Sequence, residues 1–392
     1  MVGDDIFTSL YGDEQSGCSQ IKSLPMLLIN ELKRHNQAIA GEIQAAVNRV
    51  LERGWYILGP EVEAFERQFA QWNEIGNCVG VANGTEALEL ALKALDIGPG
   101  DQVITVANAG MYGTAAIRAA GAEPVYADVD DGSLTMSVDS LRAKLSPAIK
   151  AIIVTHLYGR LADIEELLAV ASHNRIPVIE DCAQAHGAAR NGKKAGTFGK
   201  IGCYSFYPTK NLGALGDGGA LVTGDDAIAA RLKQLRQYGW SRKYVAEVGG
   251  GRNSRLDEIQ AAILAVKLPR LDLWNEKRRA IARRYNDAFA SLPIRTPSGI
   301  DEGNVVHLYV IRTERRDDLQ VHLKAQGIAS EVHYPLPDYR QPCEQGRLIR
   351  DSDLPVTERA CREILTLPCF PEMTAQDVIS VIDPVMRFFA HG

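Results

Sequence analysis

The chain lacks the marks of a membrane, disulfide-stapled or nucleic-acid-binding protein. No apolar run approaches the ~20 residues that a membrane span needs. The seven cysteines (18, 78, 182, 203, 343, 361 and 369) are odd in number, scattered and without a C-x-x-C pair. That argues against a disulfide frame or zinc site and for free thiols in a reducing compartment; no metal is expected. Positive charge is not in excess: the formal net charge is −6, whereas a nucleic-acid binder shows a basic face. The run Lys277, Arg278, Arg279, Arg283 and Arg284 falls in a helical pattern with apolar residues between, and reads as a solvated helix face. The N-terminus is acidic, unlike a secretory signal. No internal repeat or low-complexity tract is evident. The expectation is a cytoplasmic protein with neither membrane nor nucleic acid as partner.

What is present is ample core. The 392 residues, 46% of them hydrophobic, suit two packed units or one large domain with an appendage. Residues 1–24 show no steady period and read as a mobile leader. QAIAGEIQAAVNRVLERG reads as a helix capped at Gly54, and EVEAFERQFAQW as a second one starting just inside Pro60. Helix-length segments (TEALELALKAL, TAAIRAAG, ADIEELLAVASHN) then alternate with short strand-like runs (DQVITVA, EPVYADV, AIIVTHLY, IPVIED). That alternation implies an α/β fold with a mainly parallel central sheet covered by helices. Ligands in such sheets sit beyond the carboxyl ends of the strands. Past Pro269 come a long helix (271–290), NVVHLYVIR, a helix through DDLQVHLKAQG, a strand at ASEVHYP and a last helix near 374–388. The expected division is a large domain over 25–268 and a smaller C-terminal α+β domain over 269–392.

Four features carry chemistry. Asn83-Gly84-Thr85 precedes a helix, whose free N–H groups and dipole suit a phosphate, although such a sequence is equally an ordinary N-cap. Asp181 closes IPVIED, followed by Gln184 and His186. A carboxylate there either caps a turn or holds a protonated ring nitrogen, and His186 alone reads as a hydrogen-bonded structural residue. Ser205 and Lys210 flank the tip of the next strand, in SFYPTKNLGALGDGGA. Burial beside apolar residues would depress the lysine pKa and supply nucleophilic amine, and the glycines let backbone pass close to a planar ligand. Asn253 and Arg255 lie in a loop before a helix. A phosphate cradle, a strand-end carboxylate and a desolvated lysine are what pyridoxal 5'-phosphate (PLP) requires.

The segments GWYILGPEVEAFE, NGTEALELALKAL, HLYGRLADI, IEDCAQAHGA, GTFGKIGCYSFYPTKNLGALGDGGA, NSRLDEIQAAIL and VHYPLP together resemble the DegT/StrS-type sugar aminotransferases, a branch of the fold type I PLP enzymes. The resemblance implies that Lys210 is the Schiff-base lysine and proton carrier, that Asp181 pairs with the pyridine nitrogen, and that Gln184 bonds the ring hydroxyl oxygen. Gly84, Thr85 and Ser205 would hold the phosphate. Asn253 would reach the phosphate of a neighbouring subunit, making a homodimer with shared sites. The helix after it offers Ile259, Ala262, Ile263 and Val266 to that interface. ANAGMYGT departs from the family's usual segment, leaving Met111 or Tyr112 as the residue against the ring. His333 and Tyr334 are expected to contact substrate, while Asp338-Tyr339 stands where many relatives have a histidine. Family members aminate keto-sugars on a nucleoside diphosphate, most often with glutamate as donor. NSRLDE resembles those acting on 3-keto sugars, N-Y-R-M those acting on 4-keto sugars. A 3-keto-6-deoxyhexose nucleotide is therefore expected. The rivals are a 4-keto enzyme, a dehydratase, in which histidine typically replaces the lysine, and a non-catalytic PLP-fold regulatory protein.

Overall fold

The computed structural model describes residues 26–345 and 354–390; the expected leader lies outside the described residues. Seven strands form the central sheet: β1 (Asn77–Val81), β2 (Gln102–Val106), β3 (Glu123–Ala127), β4 (Ile149–Thr155), β5 (Val178–Asp181), β6 (Ile201–Ser205) and β7 (Gly219–Thr223). Their order is β1-β7-β6-β5-β4-β2-β3, and every pairing is parallel except those of β7. Alternate residues of β4 point to opposite faces. Ile152 and Val154 join one core with Phe65, Phe69 and Leu167, while Ala151 and Ile153 join another with Leu88, Leu92 and Leu232. Both faces are therefore covered by helices, which is why these strands read as unbroken apolar runs.

The helices end where their sequences say. Ala40–Arg53 stops at Gly54, whose φ of +69° is the left-handed cap, and Pro60–Trp72 begins on its proline. A third core gathers helices Leu271–Phe289, Arg316–Ala325 and Ala375–Ala390 around the paired strands Tyr309–Arg312 and Ile364–Leu367.

Three expectations need correction. ASEVHYP makes no strand, only a single bridge from Glu331 to Thr366. Pro335 and Pro337 have no N–H to extend a ladder, so the segment turns inward instead. The basic helix face is not wholly solvated: Arg278 is buried, donating to the carbonyls of His307 and Cys369. Ala262 and Ile263 are already buried within the chain, in small cores with Ile39, Ile43, Ala46 and Val50, and so are not free to form an interface.

Candidate active site

Register places the site. Thr155 pairs with Asp181, and Asp181 with Cys203, so β4 and β5 finish level while β6 runs on to Ser205. Ser205 pairs with Gly219, which pairs with Val81, bringing the turn Asn83-Gly84 to the same edge. Asn83 caps the helix Gly84–Ala94 by accepting from Glu86 N at 2.9 Å. A Cβ on Gly84 would lie 2.7 Å from Ser205 Cβ, so only glycine lets the helix start reach this strand end.

Asp181 is buried. Its Oδ1 accepts from Ala183 N at 3.1 Å and its Oδ2 from Thr155 Oγ1 at 3.4 Å. No ion pair within 4 Å neutralises it among the described residues. Burial raises its pKa, against smaller opposing effects of the Ala183 N–H, Lys210 and His156. A carboxylate so placed favours a cationic hydrogen-bond donor. Lys210 keeps partial solvent access, yet enough protein surrounds it to press its pKa down to about 8, with Asp181 pulling the other way. An acidic anchor, an amine of lowered pKa and a helix start in contact with Ser205 fit PLP.

Gln184 is fixed from both ends. Its Oε1 accepts from Tyr158 N at 2.7 Å, and its Nε2 donates to the Tyr334 hydroxyl at 3.2 Å. Tyr334 lies edge-on to Tyr112, ring centres 6.0 Å apart, and fills the space a side chain at Gly110 would need. Tyr112 is about half exposed at the start of helix Tyr112–Ala119, and Met111 precedes it with φ +71°. His333 sits 2.9 Å from Thr366 Oγ1, and its carbonyl accepts from the Tyr158 hydroxyl. Asn253 stands apart: it is exposed in the loop before helix Glu258–Lys267.

His186 fits its reading as a structural residue: it is fully buried near Tyr204 and Phe206, and the polar contact at its ring is a loose one to the Ser205 backbone, outside good hydrogen-bond geometry, that favours its charged form. Burial pushes its pKa down to about 3. His156, Glu180 and Cys182 also converge, but the first two are fully engaged. His156 Nδ1 accepts from Ala162 N, so Nε2 donates to Glu180, which also receives the N–H groups of Gly196, Phe198 and Gly199.

Sequence reasoning missed Tyr158, Asn211, His307 and the role of Asp338. Asp338 accepts from Met111 N at 2.9 Å and from Thr114 Oγ1 at 2.6 Å, docking the segment that carries Tyr334 onto the Met111–Tyr112 turn. The sole signal for it was the unusual aspartate itself.

A mainly parallel sheet with an aspartate at the carboxyl end of one strand and a lysine in the loop after the next defines the class: a fold type I PLP-dependent enzyme. Comparison with known proteins narrows it. The chain belongs to the DegT/DnrJ/EryC1/StrS aminotransferase family, whose model matches residues 37–386, and it is a PLP-dependent aminotransferase. It is 42% identical over 366 residues to a dTDP-3-amino-3,4,6-trideoxy-alpha-D-glucose transaminase of Streptomyces venezuelae, covering 93% of this chain and 96% of the relative. It is 40% identical over 374 residues to a pleiotropic regulatory protein of Geobacillus stearothermophilus, covering 94% and 99%. The crystal structure of S. venezuelae DesV, in complex with a ketimine intermediate, superposes with a TM-score of 0.90 at 41% identity, covering 93% of this chain and 99% of that one.

Proposed function

We propose that the chain transfers an amino group from glutamate to the 3-keto position of a nucleotide-linked 6-deoxyhexose, as a cytoplasmic homodimer with shared sites. One observation carries the chemistry. Lys210, with its lowered pKa, lies close enough to Asp181 for the two charges to act on one another, and among the described residues no ion pair within 4 Å neutralises Asp181. When bound, PLP supplies an electron sink that acidifies the C–H bond of the amine-bearing carbon. Lys210 would carry a proton between that carbon and the cofactor's C4′, because its lowered pKa leaves a useful fraction unprotonated near neutrality. Asp181 holds the ring nitrogen protonated. Gly84, Thr85 and Ser205 receive the phosphate, with Asn253 of the second subunit. Gln184 bonds the ring hydroxyl, and Tyr112, with Met111 beside it, supplies the flanking surface. His333 and Tyr334 face the sugar.

The 3-position rests on NSRLDE and on the name of the S. venezuelae relative. With the ring anchored at three points, only a sugar whose amine-bearing carbon falls beside Lys210 reacts. Moving the amine one carbon shifts it by more than about 1 Å, enough for a hundredfold loss. In the reverse direction, with 2-oxoglutarate, the protein is expected to consume a nucleotide-linked 3-amino-3,6-dideoxyhexose about a hundredfold faster than its 4-amino isomer. A preference for the 4-amino isomer would transfer the assignment to a 4-keto sugar. The regulatory reading draws on the Geobacillus relative's name. Visible absorbance that is unchanged on adding glutamate would favour it, whereas retention of both Lys210 and Asp181 opposes it. Borohydride is expected to fix the cofactor at Lys210, read by peptide mass.

A further inference from the structure

The loop after Lys210 belongs to no helix or strand; one backbone bond, from Ala214 N to the Phe206 carbonyl, closes it, and side chains hold the residues between. Asn211 is buried, and its amide is fully committed. Its Nδ2 donates to the Val305 carbonyl at 3.1 Å and to Asn275 Oδ1 at 2.9 Å, while His307 Nδ1 lies 3.0 Å from Oδ1. A backbone carbonyl only accepts, so the amide nitrogen faces Val305 and the amide oxygen faces His307. His307 therefore carries its proton on Nδ1 and donates it to Asn211, which leaves Nε2 bare in the neutral ring. Asn275 extends the chain of bonds, donating to the His186 carbonyl at 2.8 Å. Arg278 donates to the His307 carbonyl at 3.3 Å. On the far side of the loop, buried Lys267 donates to the Gly213 carbonyl at 2.8 Å.

We propose that Asn211 and His307 form a positioning pair. The Nδ1–H of His307, held on the Asn211 amide, fixes the direction in which Lys210 leaves its loop, and Asn275 ties that direction to the helix Leu271–Phe289. The groups facing this corner are Asp181, His186, His307 and His333, with Arg278 behind His307. Burial, and then Lys210 or other nearby charge, keeps the rings of His186 and His307 uncharged. A neutral ring donates one hydrogen bond without adding a second positive charge beside the lysine. Loosening the pair lets the Lys210 amine swing toward water, where its pKa rises toward the ordinary value. The inference rests on Lys210 being the reacting amine, which borohydride capture tests separately.

The test uses side-chain mimicry. Asparagine at 307 puts an amide nitrogen where Nδ1 lies, whereas glutamine puts its own nearer Nε2. Full-length protein stripped of cofactor is acylated with acetic anhydride across pH 6–10.5, and Lys210 modification is followed by peptide mass. Parental Lys210 is expected to titrate at about 8. Asn211→Ala and His307→Gln are expected to raise that value by about one unit, with His307→Asn within about 0.3 unit of the parent. In the holoenzyme the first two variants lower kcat about tenfold while KM changes little. A parental Lys210 pKa in folded Asn211→Ala and His307→Gln overturns the proposal. Equal shifts in His307→Asn and His307→Gln overturn it as well. If Asn211→Ala fails to fold, the two His307 variants decide alone.

Discussion

Asp181 and Asp338 are both buried carboxylates whose pKa values burial raises, yet they serve different ends. For Asp181 the point is that no ion pair neutralises it among the described residues. Asp181→Asn keeps the Ala183 contact but cannot hold a ring nitrogen charged. Turnover is expected to fall a hundredfold or more, about 3 kcal/mol of barrier, with an unchanged far-ultraviolet circular dichroism spectrum. Near-parental turnover would remove that role. Asp338 is raised to about 7 by burial, against its bonds to Thr114 and Met111 and with a further push from Glu344. The folded chain then keeps a proton that the unfolded chain releases near the ordinary carboxylate value. Stability contributed by this group is thus greatest at low pH, falls as pH rises through about 4–7, and levels off above. Replacing Asp338 by Asn should flatten the difference in denaturant midpoint between pH 5 and pH 7.5, by on the order of 2 kcal/mol. The Arg-paired Asp131 is held well below the ordinary range and works with the opposite sign, so parent and variant must be compared at each pH. An equal slope in both would refute the assignment.

At the scale of elements, periodicity and caps were readable because each is local. Pro60 and Gly54 mark their boundaries whatever the rest of the chain does. What misled was long-range partnership. Arg278 looks solvated in a basic run, but helix Leu271–Phe289 turns it toward the carbonyls of His307 and Cys369, residues distant in sequence. VHYP has strand-like composition, but its neighbours offer it no ladder. The placement of Asp181 and Ser205 at strand ends, with Lys210 in the loop beyond, was legible because strand ends in a parallel sheet converge by topology, whereas Asn211 and His307 meet only through packing. Glu258, inside the NSRLDE motif, shows the same limit. It accepts from Gly59 N at 2.9 Å, Glu61 N at 2.9 Å and Val62 N at 2.8 Å, so it caps helix Pro60–Trp72. Part of a motif suggestive of substrate therefore holds two helices together. Glu258→Ala strands those N–H groups, that of Val62 buried and those of Gly59 and Glu61 partly so. A stability loss of about 3 kcal/mol or more is expected in urea denaturation, and a loss under 1 kcal/mol would show the cap to be dispensable.

At the scale of the whole molecule, no helix among the described residues is long and apolar enough to cross a membrane. Leu51, Trp55, Tyr56 and Ile57 are exposed together, and Ile57 bridges to Asp257, four residues beyond Asn253. In the proposed homodimer this patch, bridged to the loop that carries Asn253, is where a second copy would sit. The arrangement makes a quantitative demand on mixed dimers. A chain with Lys210→Ala and a chain with Asn253→Ala are each expected to be badly impaired alone. In a mixed dimer, one site lacks both residues, while the other has Lys210 from one chain and Asn253 from its neighbour. With random reassortment half the dimers are mixed and one of their two sites is whole, so about a quarter of parental activity should return. If Asn253 served its own chain, each site in the mixed dimer would lack one residue and nothing would return. Recovery near a quarter, in mixtures whose composition is verified by tagged purification, therefore separates a shared site from two self-sufficient ones.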